Sequence, residues 1–187
     1  VTLMWRLYWY YGDEDVLRRY YETAKAYIDH LSSEHPDGIV DKGFADWSAP
    51  NEGTWESYFR EPEIVNTSLY YRQTLVVADA AEVLGRAEDR SKYLAHAESI
   101  RKAFHERFYR GGGVYGSGCQ TAQIMPLALG VVPDDIVPLA VQALVAAVEA
   151  KNRHLDTGIY ATRHLLDVLA DNGYIDLAYE MLTQKDY

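Results

Sequence analysis

The stretch from Asp13 to Leu31 reads DEDVLRRYYETAKAYIDHL, and it indicates the class of fold. Its apolar residues recur at intervals of three and four, namely Val16, Leu17, Tyr20, Tyr21, Ala24, Tyr27, Ile28 and Leu31. This spacing places them on one face of an α-helix, and Asp13 is a suitable cap for the first turn. We therefore expect a long amphipathic helix that packs against its neighbours through a single face.

The same periodicity appears on both sides of this stretch. It predicts further helices at residues 3–11, 65–84, 93–108, 121–129, 133–148, 160–170 and 174–183. Gly12, Gly85 and Gly130 stop three of them, and Asn66 or Thr67 is the expected cap of the helix over 65–84. Apart from a glycine-rich turn or short hairpin at 111–116, no strand alternation is present. The predicted class is all-α.

The connections between the predicted helices alternate between short and long. This alternation is typical of antiparallel helical hairpins, stacked either as an open solenoid or as a closed toroid. No fixed repeat length is present, which disfavours a consensus repeat array. In a toroid the longer loops gather at one mouth, so we expect the loop around Asp46, the segment 116–121 and the connection around His154 to meet.

Composition limits the classes of partner. The 187 residues suffice for one domain, or for a substantial part of a larger one, and the chain begins at Val1 as an excised piece would. A net charge of −10 disfavours nucleic acid and anionic membranes as partners. The single cysteine, Cys119, excludes an internal disulfide, and the histidine spacing predicts no metal site. No cofactor is expected. The sequence contains no transmembrane run and no signal-peptide pattern, and it leaves the cellular location open.

The loop over residues 43–56 is the segment that helix packing explains least. It carries three carboxylates and two tryptophans, and a carboxylate beside an indole suits a sugar, as in the pair Asp46-Trp47. The alternative is a surface loop in which Trp47 enters the core and Asp46 is solvated. His154 lies in a polar connection with Asp156 and Thr157, where it is either a binding residue or a surface or capping histidine.

Several motifs in their order along the chain carry a resemblance to a known family. They are Trp9-x-x-Gly12-Asp13, Asp37-Gly38, Ala45-Asp46-Trp47, Asn66-Thr67-Ser68-Leu69-Tyr70-Tyr71, Gly116-Ser117-Gly118-Cys119-Gln120-Thr121, Leu127-Ala128-Leu129-Gly130 and His154-Leu155-Asp156-Thr157-Gly158. In this order they resemble the catalytic domain of bacterial α-L-rhamnosidases, family 78 of the glycoside hydrolases. The resemblance runs through essentially the whole chain. It implies that residues 1–187 are a single domain, the middle portion of an (α/α)6 toroid.

The resemblance also implies positions for a binding site. The family's Asp-Trp pair lines the sugar pocket, which here is Asp46 and Trp47, and the histidine of its His-Leu-x-Thr-Gly motif is His154. A terminal rhamnoside is therefore the expected substrate. Two positions depart from the family pattern: Ala45 stands where a glycine is usual, and Cys119 stands where serine or threonine is more frequent.

The chemistry that the resemblance implies is inverting hydrolysis by two carboxylic acids. The family's acid and base motifs would precede Val1 and follow Tyr187, so this chain alone is expected to be inactive, and no catalytic residue is assigned within it. Two alternatives remain: a non-catalytic helical scaffold that binds protein partners, and a toroid glycosidase of different sugar specificity. Cut edges of a toroid would expose apolar faces and favour self-association, here at Leu3, Leu7, Tyr11, Ile175, Tyr179 and Leu182.

Overall fold

The computed structural model describes residues 1–50 and 59–185. Within them the chain forms eight α-helices and one two-stranded antiparallel sheet. In chain order the elements are α1 (Thr2–Tyr11), α2 (Glu14–Glu34), β1 (Asp46–Trp47), β2 (Phe59–Arg60), α3 (Pro62–Val83), α4 (Ala87–Phe108), α5 (Gln120–Leu129), α6 (Val137–Glu149), α7 (Ile159–Asp171) and α8 (Ile175–Thr183). The all-α prediction is confirmed.

The helices pack as four hairpins side by side. The odd-numbered helices α1, α3, α5 and α7 contact one another in sequence and form an inner row. Each even-numbered helix packs against the helix that precedes it, and α2 also packs against α3. This is the arrangement of antiparallel helical hairpins that the alternating connections predict. None of the helices in residues 1–50 and 59–185 is long and apolar enough to cross a membrane.

The core consists of two apolar clusters that meet at α3 and α5. One joins α2, α3 and α4 through residues such as Leu17, Tyr21 and Phe104, and the other joins α5 to α8 through residues such as Leu144 and Leu165. All five of these side chains are fully buried. Burial of each stabilises the fold by about 1.5–3 kcal/mol, so the hairpins are held together mainly by apolar packing.

Most helix ends follow the sequence signals. Asp13 caps α2 through a bond from the backbone N–H of Asp15 to Asp13 Oδ1 at 2.9 Å. Gly12 and Gly130 end their helices in the left-handed conformation. The glycine-rich segment forms a turn that is closed by a bridge between Tyr109 and Tyr115.

Three helix starts differ from the prediction. Helix α4 begins at Ala87, six residues before the predicted start at Tyr93. Helix α3 begins at Pro62 rather than near residue 65, so the expected cap at Asn66 or Thr67 is wrong; the residue at the cap position is Glu61, with φ of 50°. Proline suits the first turn because it lacks the N–H that would be unpaired there. Helix α6 begins at Val137, because the residues from Pro133 to Ile136 form a turn closed by a 2.9 Å bond between the Ile136 N–H and the Pro133 carbonyl.

Side chains of α2 and α4 form a set of ion pairs and hydrogen bonds that we call the outer seam. Asp89 accepts bonds from Tyr21 Oη at 2.9 Å and from Lys25 Nζ at 2.9 Å. Asp29 accepts bonds from the hydroxyl of Tyr93 and the ammonium group of Lys92, each at 2.8 Å. Hydrogen bonding to Lys25 lowers the pKa of the Asp89 carboxyl, and the carboxylate form therefore contributes to the docking of α4 on α2.

Candidate functional site

The paired strands β1 and β2 meet two segments that are distant from them in sequence at one end of the inner row, and we call this meeting point the mouth cluster. It comprises residues 46–47, 59–60, 116–121 and 154–158. Thr121 Oγ1 donates to Asp46 Oδ2 at 2.5 Å, Gln120 Nε2 donates to the His154 carbonyl at 2.9 Å, and the backbone N–H of Gly158 donates to Asp46 Oδ2 at 2.7 Å. The predicted meeting of the three loops is confirmed.

Asp46 is the most connected carboxylate of the cluster. Besides Thr121 and Gly158 on Oδ2, its Oδ1 accepts from the backbone N–H groups of Tyr160 at 2.9 Å and Ala161 at 3.1 Å. The side chain has no exposed surface. Each oxygen thus holds two donors, which fills the usual acceptor capacity of a carboxylate. The role predicted for Asp46 in binding a sugar stays a prediction, and the structure adds that its oxygens are already engaged.

Trp47 lies on the opposite side of β1 from Asp46. Successive residues of a strand point to opposite faces, and here Asp46 is buried while Trp47 is 47% exposed. The alternative of a core tryptophan beside a solvated aspartate is wrong, because the two residues have the reverse exposure. A half-exposed indole offers a flat apolar face at the surface of the mouth cluster.

Gln120 fastens the connection that carries His154. Its amide nitrogen donates to the His154 carbonyl at 2.9 Å, and its amide oxygen accepts from the Asp156 N–H at 2.9 Å. Gln120 is 1% exposed. One buried side chain therefore fixes two peptide groups of the connection, and His154 itself is half-buried with Nδ1 3.2 Å from the Lys151 carbonyl oxygen.

An ion pair ties β2 to the same connection. Arg60 Nη2 lies 2.7 Å from Asp156 Oδ1, and Lys151 Nζ lies 3.2 Å from Asp156 Oδ2. Arg60 also donates to the Asp156 carbonyl at 3.3 Å and to the Pro50 carbonyl at 2.9 Å. With side-chain exposures of 18% for Arg60 and 9% for Asp156, this pair is largely shielded from water.

Glu61 borders the cluster at the cap position of α3. Its Oε1 accepts from the Ser117 N–H at 3.3 Å and lies 3.8 Å from Cys119 Sγ. Burial raises the pKa of the Cys119 thiol, so the neutral thiol is favoured, which suits a packing role rather than a nucleophilic one. Among residues 1–50 and 59–185, no group of histidine, cysteine and carboxylate side chains could hold a metal ion.

A cavity lies away from the mouth cluster. Its volume is about 560 Å³, and it is an apolar groove beside α1 and α2, lined by residues that include Leu3, Leu7, Val16 and Tyr27. Glu52, Trp55 and Glu56, which the sequence places in the same loop as Trp47, lie outside the described residues.

Sequence reasoning missed the residues that hold the cluster together. Gln120 and Asp156 lie inside motifs that carry the resemblance, so the sequence draws attention to both. No local spacing predicts that the two residues bond to each other. Arg60 lies outside those motifs, in a segment with no periodic pattern. The scaffold alternative predicts that Asp46, Trp47 and His154 are scattered in space, whereas the bonds through Gln120, Thr121 and Gly158 join their segments.

A family model described as the bacterial alpha-L-rhamnosidase 6 hairpin glycosidase domain matches residues 1–187. A curated α-L-rhamnosidase from Streptomyces avermitilis is 32% identical over 189 residues, covering 100% of this chain and 18% of that protein. A curated α-L-rhamnosidase from Formosa agariphila is 29% identical over 191 residues, covering 98% of this chain and 20% of that protein.

The fold of the chain is also similar to solved structures of α-L-rhamnosidases. The α-L-rhamnosidase from Dictyoglumus thermophilum superposes with a TM-score of 0.91 at 34% identity, covering 100% of this chain and 21% of that chain. The Streptomyces avermitilis α-L-rhamnosidase complexed with L-rhamnose gives a TM-score of 0.89 at 31% identity, covering 100% and 18%. The prediction that the hairpins are part of an (α/α)6 toroid is confirmed. The chain spans about a fifth of the length of the relatives it matches.

Proposed function

The chain belongs to the bacterial α-L-rhamnosidase six-hairpin glycosidase family, and from this premise we propose that it is part of a catalytic domain that removes terminal α-L-rhamnose. The observation that carries the proposal is the mouth cluster, where the segments of Asp46, Trp47 and His154 are bonded together within a domain that matches the family over its whole length. The complex of the Streptomyces avermitilis relative with L-rhamnose supports a carbohydrate substrate.

The proposed binding residues have distinct tasks. The half-exposed indole of Trp47 packs against the apolar C–H face of the sugar ring, and the imidazole of His154 exchanges hydrogen bonds with sugar hydroxyls. Asp46 supports the site from the protein interior, because both of its oxygens already accept hydrogen bonds from protein donors.

The proposed reaction is hydrolysis with inversion at the anomeric carbon. A carboxylic acid protonates the leaving glycosidic oxygen as its bond to the anomeric carbon breaks, while a carboxylate takes a proton from the water that attacks the opposite face. The two carboxyl groups of such enzymes stand about 6.5–9.5 Å apart to admit the water. We propose that both groups lie outside these 187 residues and that Asp46 is neither of them.

The test is hydrolysis of an aryl α-L-rhamnoside by the full-length protein that contains this chain, with the 187-residue chain alone as the control. We expect turnover by the full-length protein only. The first-formed sugar should be the β anomer when the reaction is followed by proton NMR, because inversion changes the anomeric configuration. No turnover of any α-L-rhamnoside by the full-length protein, or retention of configuration, would contradict the proposal.

We also propose that the isolated chain self-associates through its two end helices. Three apolar side chains of α1 and three of α8 are exposed: Leu3, Leu7, Tyr11, Ile175, Tyr179 and Leu182. Exposed apolar side chains of this kind favour association in water. Light scattering should show a mass that rises with concentration and that falls towards the monomer in the double variant Leu3→Glu, Leu182→Glu. A monodisperse monomer at high concentration would contradict this.

A further inference from the structure

We propose that Asp46 is a positioning residue: its carboxylate fastens β1 to the N-terminus of α7 and thereby sets where Trp47 meets the sugar. The proposal rests on the proposed function, since it assumes that Trp47 contacts the substrate. It gives Asp46 a different task from direct sugar binding, and it places α7 among the elements that shape the site.

The carboxylate of Asp46 caps the N-terminus of a helix that lies more than a hundred residues away in sequence. The first N–H groups of a helix lack partners within the helix, and α7 begins after Gly158, which has no side chain to cap them. Asp46 supplies the missing acceptors for the N–H groups of Gly158, Tyr160 and Ala161. Its negative charge at this end also interacts favourably with the helix dipole.

Close packing of backbone on backbone makes the link rigid. A Cβ atom at Gly158 would lie 2.4 Å from the Trp47 carbonyl oxygen and 2.7 Å from the Asp46 carbonyl carbon. The φ of Gly158 is −84°, so glycine is needed here for space and not for its conformational freedom. The start of α7 and the backbone of Trp47 are therefore in direct contact, and a shift in one displaces the other.

The sheet is too short to hold Trp47 by itself. Strands β1 and β2 pair over two residues each, Asp46 with Arg60 and Trp47 with Phe59. An isolated pair of strands is at best marginally stable in water even when it is longer. The four bonds of Asp46 are consequently the main anchor of this strand, and Trp47, on its other face, is presented outward by that anchor.

A double-mutant cycle in the full-length protein tests the coupling. Asp46→Asn keeps the shape of the side chain but replaces one acceptor oxygen by a donor, which disrupts the bonds to two of the four partners. We expect KM for an aryl α-L-rhamnoside to rise about tenfold and kcat to change far less, because ground-state binding is weakened. In a Trp47→Ala background the same substitution should leave KM unchanged. Effects that multiply in the double variant would overturn the proposal.

A milder variant covers the case in which Asp46→Asn does not fold. Thr121→Val removes one donor and leaves the carboxylate in place, and we expect KM to rise about threefold, again only when Trp47 is present. Asp29→Asn is the matched control, since it alters a carboxylate of the outer seam and should leave KM unchanged. A rise in KM for Asp29→Asn equal to that for Asp46→Asn would mean that general destabilisation is responsible.

A readout without substrate separates this proposal from the proposed function. In the full-length protein without substrate, the indole N–H signal of Trp47, assigned by its loss in Trp47→Phe, should move in Asp46→Asn while the signals of Trp5 and Trp9 stay in place. In Asp29→Asn the Trp47 signal should not move. An unmoved Trp47 signal in Asp46→Asn overturns the positioning role, whereas absence of rhamnoside hydrolysis by the wild-type full-length protein overturns only the proposed function.

Discussion

At the mouth cluster Asp46 is fully buried and takes three of its four bonds from backbone N–H groups, whereas at the outer seam Asp29 and Asp89 bond to tyrosine and lysine side chains. The side chains of Asp29 and Asp89 are 42% and 19% exposed. Both regions join distant parts of the chain through carboxylates.

The difference lies in what each region fixes. A backbone N–H has no rotamers, so a carboxylate bonded to several of them holds two chain segments in one relative position. Lysine side chains are flexible and solvated, so an ion pair that uses them contributes little stability and tolerates small shifts between helices. We expect the mouth cluster to be sensitive to single substitutions and the outer seam to be tolerant.

The largest expected effect comes from removing the buried carboxylate. Asp46→Ala leaves three N–H groups and the Thr121 hydroxyl without an acceptor at a buried position, and we expect a loss of about 3–5 kcal/mol in the free energy of unfolding. Asp29→Ala at the outer seam should cost no more than about 1 kcal/mol. Urea unfolding of the chain measures both. Equal losses would mean that the two regions do not differ as described.

The contact between Gly158 and Trp47 gives the next effect. Gly158→Ala forces a Cβ against the Trp47 carbonyl and should cost about 3 kcal/mol, since neither backbone can move freely. Gly12→Ala is the matched control, because no atom lies near its Cβ and its cost of about 1–2 kcal/mol comes from the left-handed conformation alone. Thermal unfolding should rank the two in this order, and the reverse rank would show that the contact at Gly158 relaxes easily.

The smallest effect is the pH dependence of the outer seam. Hydrogen bonding to Lys25 holds the pKa of Asp89 below its ordinary value of 3.8. Because the folded pKa is the lower one, the stabilisation is complete above the ordinary value and is lost as pH falls through the folded value.

The Asp89→Asn variant should therefore lose less stability than the wild type between pH 5 and pH 3, as measured by the midpoints of urea unfolding. A wild-type slope in Asp89→Asn would exclude a contribution from this carboxylate.

The helical frame could be predicted from the sequence because its signals are local. The three-and-four spacing in α2 and the glycines at positions 12 and 130 determine the structure of nearby residues only. The observed helix and helix ends agree with these signals. The pattern does not locate the start of α3, because a left-handed Glu61 before Pro62 carries no periodic signal.

The interior of the mouth cluster depends on long-range pairing. Residue type alone points to Asp46 and Trp47, but contacts with Thr121 and Gly158 decide which of the two is buried. The partnership of Arg60 with Asp156 likewise spans almost a hundred residues. No window of sequence contains both members of these pairs, so their geometry could only come from the folded chain.

The central claim is that Trp47, which faces outward at the mouth cluster, binds the sugar ring. The most direct test is kcat/KM of the full-length protein and of its Trp47→Ala variant on an aryl α-L-rhamnoside, with circular dichroism to verify folding. Loss of a stacking surface should lower kcat/KM by at least about tenfold. A folded Trp47→Ala variant with the kcat/KM of the wild type would contradict the account.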